Sequence, residues 1–216
     1  MKSQRRSNQT KSILFISALD FWSMGNGKGG PALWQTLTGY AKHGWKAYFI
    51  TGNYAQEESL KAPDNIKVLR FDAPWLKRLM KIKKIGFFAK IIWWIWFQIV
   101  AFIKALQIHR KNDIDVVYGY EIYGVPVAKL LSKIWKVPVI SRFQGTILGV
   151  SWMRKKFWKI RAWEHVLAFK IPTNFIIMTN DGTQGDRVLQ KLGVDNKKVK
   201  FWMNGIDWGT FKIIYN

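Results

Sequence analysis

A short β-rich run, Ser12-Ile13-Leu14-Phe15-Ile16-Ser17, leads into a loop carrying Gly25, Gly27, Gly29 and Gly30, and Pro31 then opens a helical pattern. In the order strand, glycine loop, helix, backbone amides come close to a ligand while the following helix aims its positive end at the same point. An anionic or hydroxyl-rich ligand suits such a place. The spacing is not the dinucleotide fingerprint. No G-x-G-x-x-G runs into the helix, and the acidic residue expected about 20 positions further on is missing. A flexible glycine-rich turn without a ligand accounts for the same residues.

Other chemistries are excluded by composition. The chain has no cysteine, which rules out disulfides, thiolate metal sites and cysteine nucleophiles and suits a reducing compartment. His43, His109 and His165 are scattered without ligand spacing, so each reads as a surface or helix-end residue. The basic start, residues 1–11, precedes an apolar run too short for the core of a secretion signal. A cytoplasmic protein without metal or cofactor is expected.

The elements that must position the glycine loop alternate nearly throughout. Strands are predicted at 12–18, 45–51, 66–71, 115–120, 137–142, 174–179 and 198–203. Helices are predicted at 30–43, 76–111, 123–135, 154–169 and 182–192. Strands separated by helices imply an α/β fold, a Rossmann-like parallel sheet with helices on both faces. In such sheets ligands bind beyond the carboxyl ends of the strands.

Lys and Arg number 35 against 13 Asp and Glu, a formal charge of +22. Such a balance points to a polyanionic partner surface. Nucleic acid and anionic lipid both fit the charge, and the aromatic residues favour lipid. The chain has 13 Trp, several beside cations, as in Trp75-Leu76-Lys77-Arg78 and Trp152-Met153-Arg154-Lys155-Lys156-Phe157-Trp158-Lys159. Trp and Lys together mark a membrane interface. A solvated basic face over core aromatics is the plainer alternative. No RNA or DNA motif is present, so no nucleic-acid partner is expected.

The segment 77–111 stands apart because residues 91–103 carry no charge, with Lys90 and Lys104 closing the run. Thirteen helical residues reach only about 20 Å, short of a hydrocarbon core of roughly 30 Å, so a spanning helix is disfavoured. A core helix with one greasy outer stripe is one reading. A helix lying in the bilayer surface, drawn there by Lys77, Arg78, Lys81, Lys83 and Lys84, is the other. The two are compatible.

Six segments in order resemble the amino-terminal domain of GT-B glycosyltransferases, specifically the subfamily 4-like retaining sugar transferases. They are Gly29-Gly30-Pro31; Leu37 through Lys42-His43-Gly44-Trp45; Asp115-Val116-Val117-Tyr118-Gly119-Tyr120-Glu121; Val137 through Ser141-Arg142-Phe143-Gln144-Gly145-Thr146; Ile176 through Asn180-Asp181-Gly182-Thr183; and Lys198 through Asn204-Gly205-Ile206-Asp207. The resemblance covers nearly the whole chain.

It implies transfer of a sugar from a nucleotide-sugar donor, with retained configuration and no metal, to an acceptor held mainly by this domain. It implies substrate contacts from Gly29, Gly30, Tyr120, Glu121, Arg142, Gln144, Gly145, Thr146, Asn180 and Asn204, with no catalytic residue assigned. Glu121 would accept sugar hydroxyl protons while Tyr120 and Tyr123 offer ring faces. Each has a structural alternative: glycines for turns, Glu121 paired with a surface lysine, Gln144 or Asn180 capping backbone groups. Many relatives carry histidine where this chain has Gln144, and glutamine exchanges hydrogen bonds without titrating.

The implied organisation is a basic flexible tail over 1–11, the acceptor-side domain over 12–207 and the start of an interdomain linker over 208–216, with the donor domain absent. The chain would then be a fragment, a truncated reading frame or half of a two-chain enzyme, inactive alone. It would work on a lipid-linked or cell-envelope saccharide as a peripheral protein of the inner membrane face. A non-catalytic lipid- or polyanion-binding module on the same fold is the alternative.

Overall fold

The computed structural model of the chain describes residues 10–19, 31–52, 62–149 and 153–203. Seven strands form one sheet, each parallel to its neighbours: β1 (Ser12–Ser17), β2 (Lys46–Thr51), β3 (Ile66–Arg70), β4 (Val116–Tyr120), β5 (Val139–Phe143), β6 (Phe175–Thr179) and β7 (Val199–Trp202). The spatial order is β3-β2-β1-β4-β5-β6-β7. It reverses between β1 and β4, so a crevice opens there at the carboxyl edge. All seven strands stand where the apolar runs placed them, within two residues at each end.

The helices are α1 (Pro31–Lys42), α2 (Pro74–Leu79), α3 (Gly86–His109), α4 (Glu121–Trp135), α5 (Trp158–Arg161), α6 (Trp163–Lys170) and α7 (Gly185–Lys191). Two helices expected as single pieces are each split. The stretch expected at 76–111 starts earlier, with Pro74 in its first turn, and breaks after Leu79. At the restart Gly86 N–H donates to Ile82 O at 2.7 Å, and a Cβ on Gly86 would lie 2.5 Å from Met80 O, so only glycine closes this turn. The stretch expected at 154–169 breaks at Ala162, whose φ of −120° and ψ of 37° leave the helical region.

Strand alternation feeds two core layers. Ile13 and Phe15 of β1, with Ala47 and Phe49 of β2, pack under Leu33, Leu37 and Ala41 of α1. Leu14, Ile16, Tyr48 and Ile50 face the other way, against Trp93, Phe97 and Ala101 of α3 and Val127, Ala128 and Leu131 of α4. Being central, β1 is buried along all six residues, hence its unbroken apolar run. On the α3 side, α6 and α7 extend the layer over Phe143, Ile176 and Met178.

At 24 residues α3 is about 36 Å long, longer than the uncharged run suggested and long enough to cross a bilayer. One row of it nevertheless packs on the sheet. Trp93, Phe97, Ala101, Ala105 and Ile108 are part of the protein core, each of the large ones contributing about 1.5–3 kcal/mol of burial.

Candidate functional site

The crevice between β1 and β4 is built by two glycines inside regular elements. A Cβ on Gly124 would lie 1.9 Å from Ile16 O, and one on Gly119 would lie 2.7 Å from Val125 Cα. Their bareness lets the first turn of α4 press onto the ends of β1 and β4, with its amide end directed at the crevice. An isolated glycine inside a strand or helix pattern is the sequence signal for such an approach.

Tyr120 and Glu121 stand at this junction. Glu121 has φ +60°, a left-handed conformation that costs a non-glycine residue on the order of 1 kcal/mol. Its carboxylate reaches sideways to the next strand, where Gln144 N–H donates to Glu121 Oε1 at 2.7 Å. It therefore holds the β5 loop rather than a surface lysine. Burial first, and the charge of Asp181 to a lesser degree, push its carboxyl from 4.5 up to about 7, against the opposing pull of the Gln144 amide and the Arg142 guanidinium. Glu121 thus exchanges a proton near neutrality.

Gln144, Gly145 and Thr146 follow β5 and are tied to the loop after β6. Gly145 has φ +109°, and a Cβ there would lie 1.8 Å from Asp181 Oδ2, so the Asp181 carboxylate occupies the space a side chain would need. Thr146 N–H donates to Thr183 Oγ1 at 3.1 Å, and Thr183 Oγ1–H donates on to Asp181 Oδ1 at 2.5 Å. Asp181 and Thr183 are the residues that sequence reasoning missed. Asn180 is exposed at the end of β6, where its N–H donates to Trp202 O at 2.7 Å, extending the ladder to β7 instead of capping a helix. Gln184 occupies the N-cap position of α7.

Three expected contacts point elsewhere. Tyr120 is wholly buried in the α1-side layer, so its ring face is not open to a sugar. Burial pushes its hydroxyl up strongly. The inward phase of β4 sets this, since Tyr118 and Tyr120 share one face. Tyr123 is half-buried and edge-on to Phe97. Arg142 turns toward α1, where its Nη1 donates to Thr36 Oγ1 at 2.7 Å. Gly29, Gly30 and Asn204 lie outside the described residues, as does Trp152.

A cleft of about 650 Å³ lies not at the carboxyl edge but on the α1-side face of the sheet, among Tyr40, Trp45, Tyr118, Arg142, Lys200 and Trp202. Its walls are mainly aromatic and apolar. The polar groups able to bind hydroxyls or an anion gather at the strand ends instead, which puts the candidate site there. Among the histidines, His43 bonds Gly39 O at the end of α1 and His109 stacks on Trp135 at 4.2 Å. His165 is held below its usual range by burial.

No protein-family model and no curated protein matches the sequence. Solved structures do match. HepE of Anabaena, crystallised with UDP and glucose, aligns with TM-score 0.55 at 16% identity over 91% of this chain and 45% of its own. The sucrose-phosphate synthase of Thermosynechococcus elongatus aligns with TM-score 0.57 at 13% identity over 91% and 49%. UGT89C1 of Arabidopsis thaliana aligns with TM-score 0.59 at 11% identity over 95% and 52%. The chain spans about half the length of these structures. Its fold is the Rossmann-like parallel α/β fold that makes up one half of a GT-B glycosyltransferase.

Proposed function

We propose that this chain is the acceptor-side, amino-terminal half of a subfamily 4-like GT-B glycosyltransferase. In this reading it works with a nucleotide-sugar donor and no metal, retains the anomeric configuration, and serves a lipid-linked or cell-envelope saccharide at the inner membrane face. The observation that carries the reading is the meeting of three strand ends at one edge: Glu121 after β4, Gln144-Gly145-Thr146 after β5 and Asn180 after β6, around the amide end of α4. Amides, amide side chains and a carboxylate titrating near neutrality are groups that exchange hydrogen bonds with sugar hydroxyls. UDP-bound neighbours such as HepE support a nucleotide-sugar partner for the complete enzyme.

Among the side chains described at these strand ends the cation is Arg142, and it is engaged with Thr36. A diphosphate is held chiefly by charge-assisted bonds. The chain alone should therefore bind donor feebly and turn over none of it. The test is isothermal titration with UDP-glucose and UDP-N-acetylglucosamine, beside a transfer assay on polyprenyl-diphosphate saccharides. Millimolar or weaker donor affinity and no turnover are expected. Submicromolar binding or steady turnover by this chain alone would overturn the acceptor-side assignment.

A further inference from the structure

The row of α3 that faces away from the sheet is apolar and uncovered. Phe88, Ile92, Ile95, Ile99 and Ile103 recur at spacings of three and four and are between 47% and 66% exposed. At about 100° per residue they fall nearly opposite the core row Trp93, Phe97 and Ala101. The apolar load on this surface is thus carried by isoleucines, while Trp93 belongs to the core.

Two cationic patches flank the first half of this row. One is the turn between α2 and α3, where Arg78, Lys81, Lys83 and Lys84 are all exposed, with Ile82 and the 61%-exposed Trp75 projecting among them. The other is α5 and the turn before it, where Arg154, Lys156, Lys159 and Arg161 are exposed around Phe157 and Ile160, each 62% exposed. The start of α6 is fastened to the start of α3 by the ion pair between Lys90 and the buried Glu164, and by the edge-on rings of Trp94 and Trp163 at 5.2 Å. That junction brings the second patch alongside the first half of α3.

Topology sets the direction of this surface. α2 and α3 follow the carboxyl end of β3, and α5 follows the carboxyl end of β5 in the same parallel sheet. Both patches therefore lie toward the edge that carries Glu121 and Gln144.

We infer that the outer row of α3 and α5 with the turn before it form a single docking face for an anionic lipid bilayer, laid along the membrane surface with the carboxyl edge of the sheet brought beside the headgroups. Apolar rows flanked by cations of one sign match a negatively charged headgroup layer over acyl chains. A second copy of the chain is a poor occupant, because it would bring like charge against like, +22 on each side. The inference rests on the proposed transferase reading for its meaning. It names the acceptor class, an amphiphile whose sugar stands at the bilayer surface and enters the site sideways.

The chain has no cysteine, which permits single-probe mapping. Ile95→Cys, Phe157→Cys and, on the opposite face of the sheet, Lys42→Cys would each carry an environment-sensitive fluorophore. Vesicles of phosphatidylglycerol with phosphatidylcholine should shift the first two probes to the blue and leave the third unchanged. Pure phosphatidylcholine should shift none. Replacing Lys81, Lys83 and Lys84 together with Gln should weaken binding on the order of a hundredfold, as three near-surface charges are lost. The pair Phe157→Ser and Ile160→Ser should weaken it separately, with circular dichroism unchanged.

A blue shift at residue 42, equal binding to neutral vesicles, or no effect of either variant set would overturn the docking face. So would a lipid-free dimer that Ile95→Ser and Ile99→Ser dissolve. Vesicle binding is read without any donor. A chain that docks but does not complete an active transferase when joined to a donor half sinks the enzymatic reading alone. Transfer to soluble acceptors without vesicle affinity sinks only the docking face.

Discussion

Glu121 carries a left-handed backbone, a short bond to the Gln144 amide and a carboxyl raised to about 7, three features that meet on one side chain. Strain of this kind persists where surrounding contacts over-determine the conformation. Here the Gln144 amide and the first turn of α4 supply those contacts. Folding favours the protonated acid, because 7 lies above the ordinary 4.5. Its contribution to stability is therefore complete below pH 4.5 and is lost as pH rises through 7. Glu121→Gln keeps an acceptor for the Gln144 amide but cannot ionise. The variant should lose the fall in melting temperature between pH 4.5 and 7 and be roughly 3 kcal/mol more stable than wild type at pH 8. Thermal melts across that range, with parallel pH profiles, would show the carboxyl to be unperturbed.

The Lys90–Glu164 pair does at the scale of elements what Glu121 does at the scale of residues. It joins α3 to α6 across 74 positions of sequence. Glu164 is buried while Lys90 keeps 37% of its side chain exposed, so the pair is only half desolvated. Lys90→Met leaves a buried carboxylate without its cation and should cost roughly 1–3 kcal/mol, less than a fully buried pair would. Adding Glu164→Leu should recover most of that loss, measured by urea unfolding. A double variant as weak as the single one would mean that packing and not charge holds this junction.

The same scale shows how far the sequence reveals the fold. The central strands are short apolar runs bounded by turn residues, and the more exposed edge strands β3 and β7 still carry apolar residues between turns, so all seven could be placed from these local runs. The helix breaks after Leu79 and at Ala162 escaped because the apolar pattern runs on through them, although Pro74 and Gly86 mark the first. At the site, strand-end residues such as Gln144 and Asn180 follow from element order. Thr36 and Thr183 do not, since each gains its role only by meeting a partner 106 or 37 residues away. Tyr120 was misread for the opposite reason: its chemistry suits a sugar ring, but strand phase turns it inward.

The whole molecule carries a large excess of one charge sign and its sheet in one piece. The excess cations repel one another in the folded state, so added salt should screen that repulsion and stabilise the free chain. Docking to acidic vesicles has the opposite dependence, because salt screens attraction there. Raising sodium chloride from about 20 mM to about 300 mM should therefore increase the melting temperature by a few degrees, given about 2–4 °C per kcal/mol for a chain of this size. The same change should weaken vesicle binding at least tenfold. Since all seven strands are hydrogen-bonded in series, unfolding should be a single transition, with near- and far-ultraviolet circular dichroism coinciding. Two separated transitions would divide the sheet at its β1–β4 reversal. A melting temperature that falls with salt would show that ion pairs, rather than repulsion, dominate the folded surface, and the cations of the proposed docking face would then already have partners within the chain.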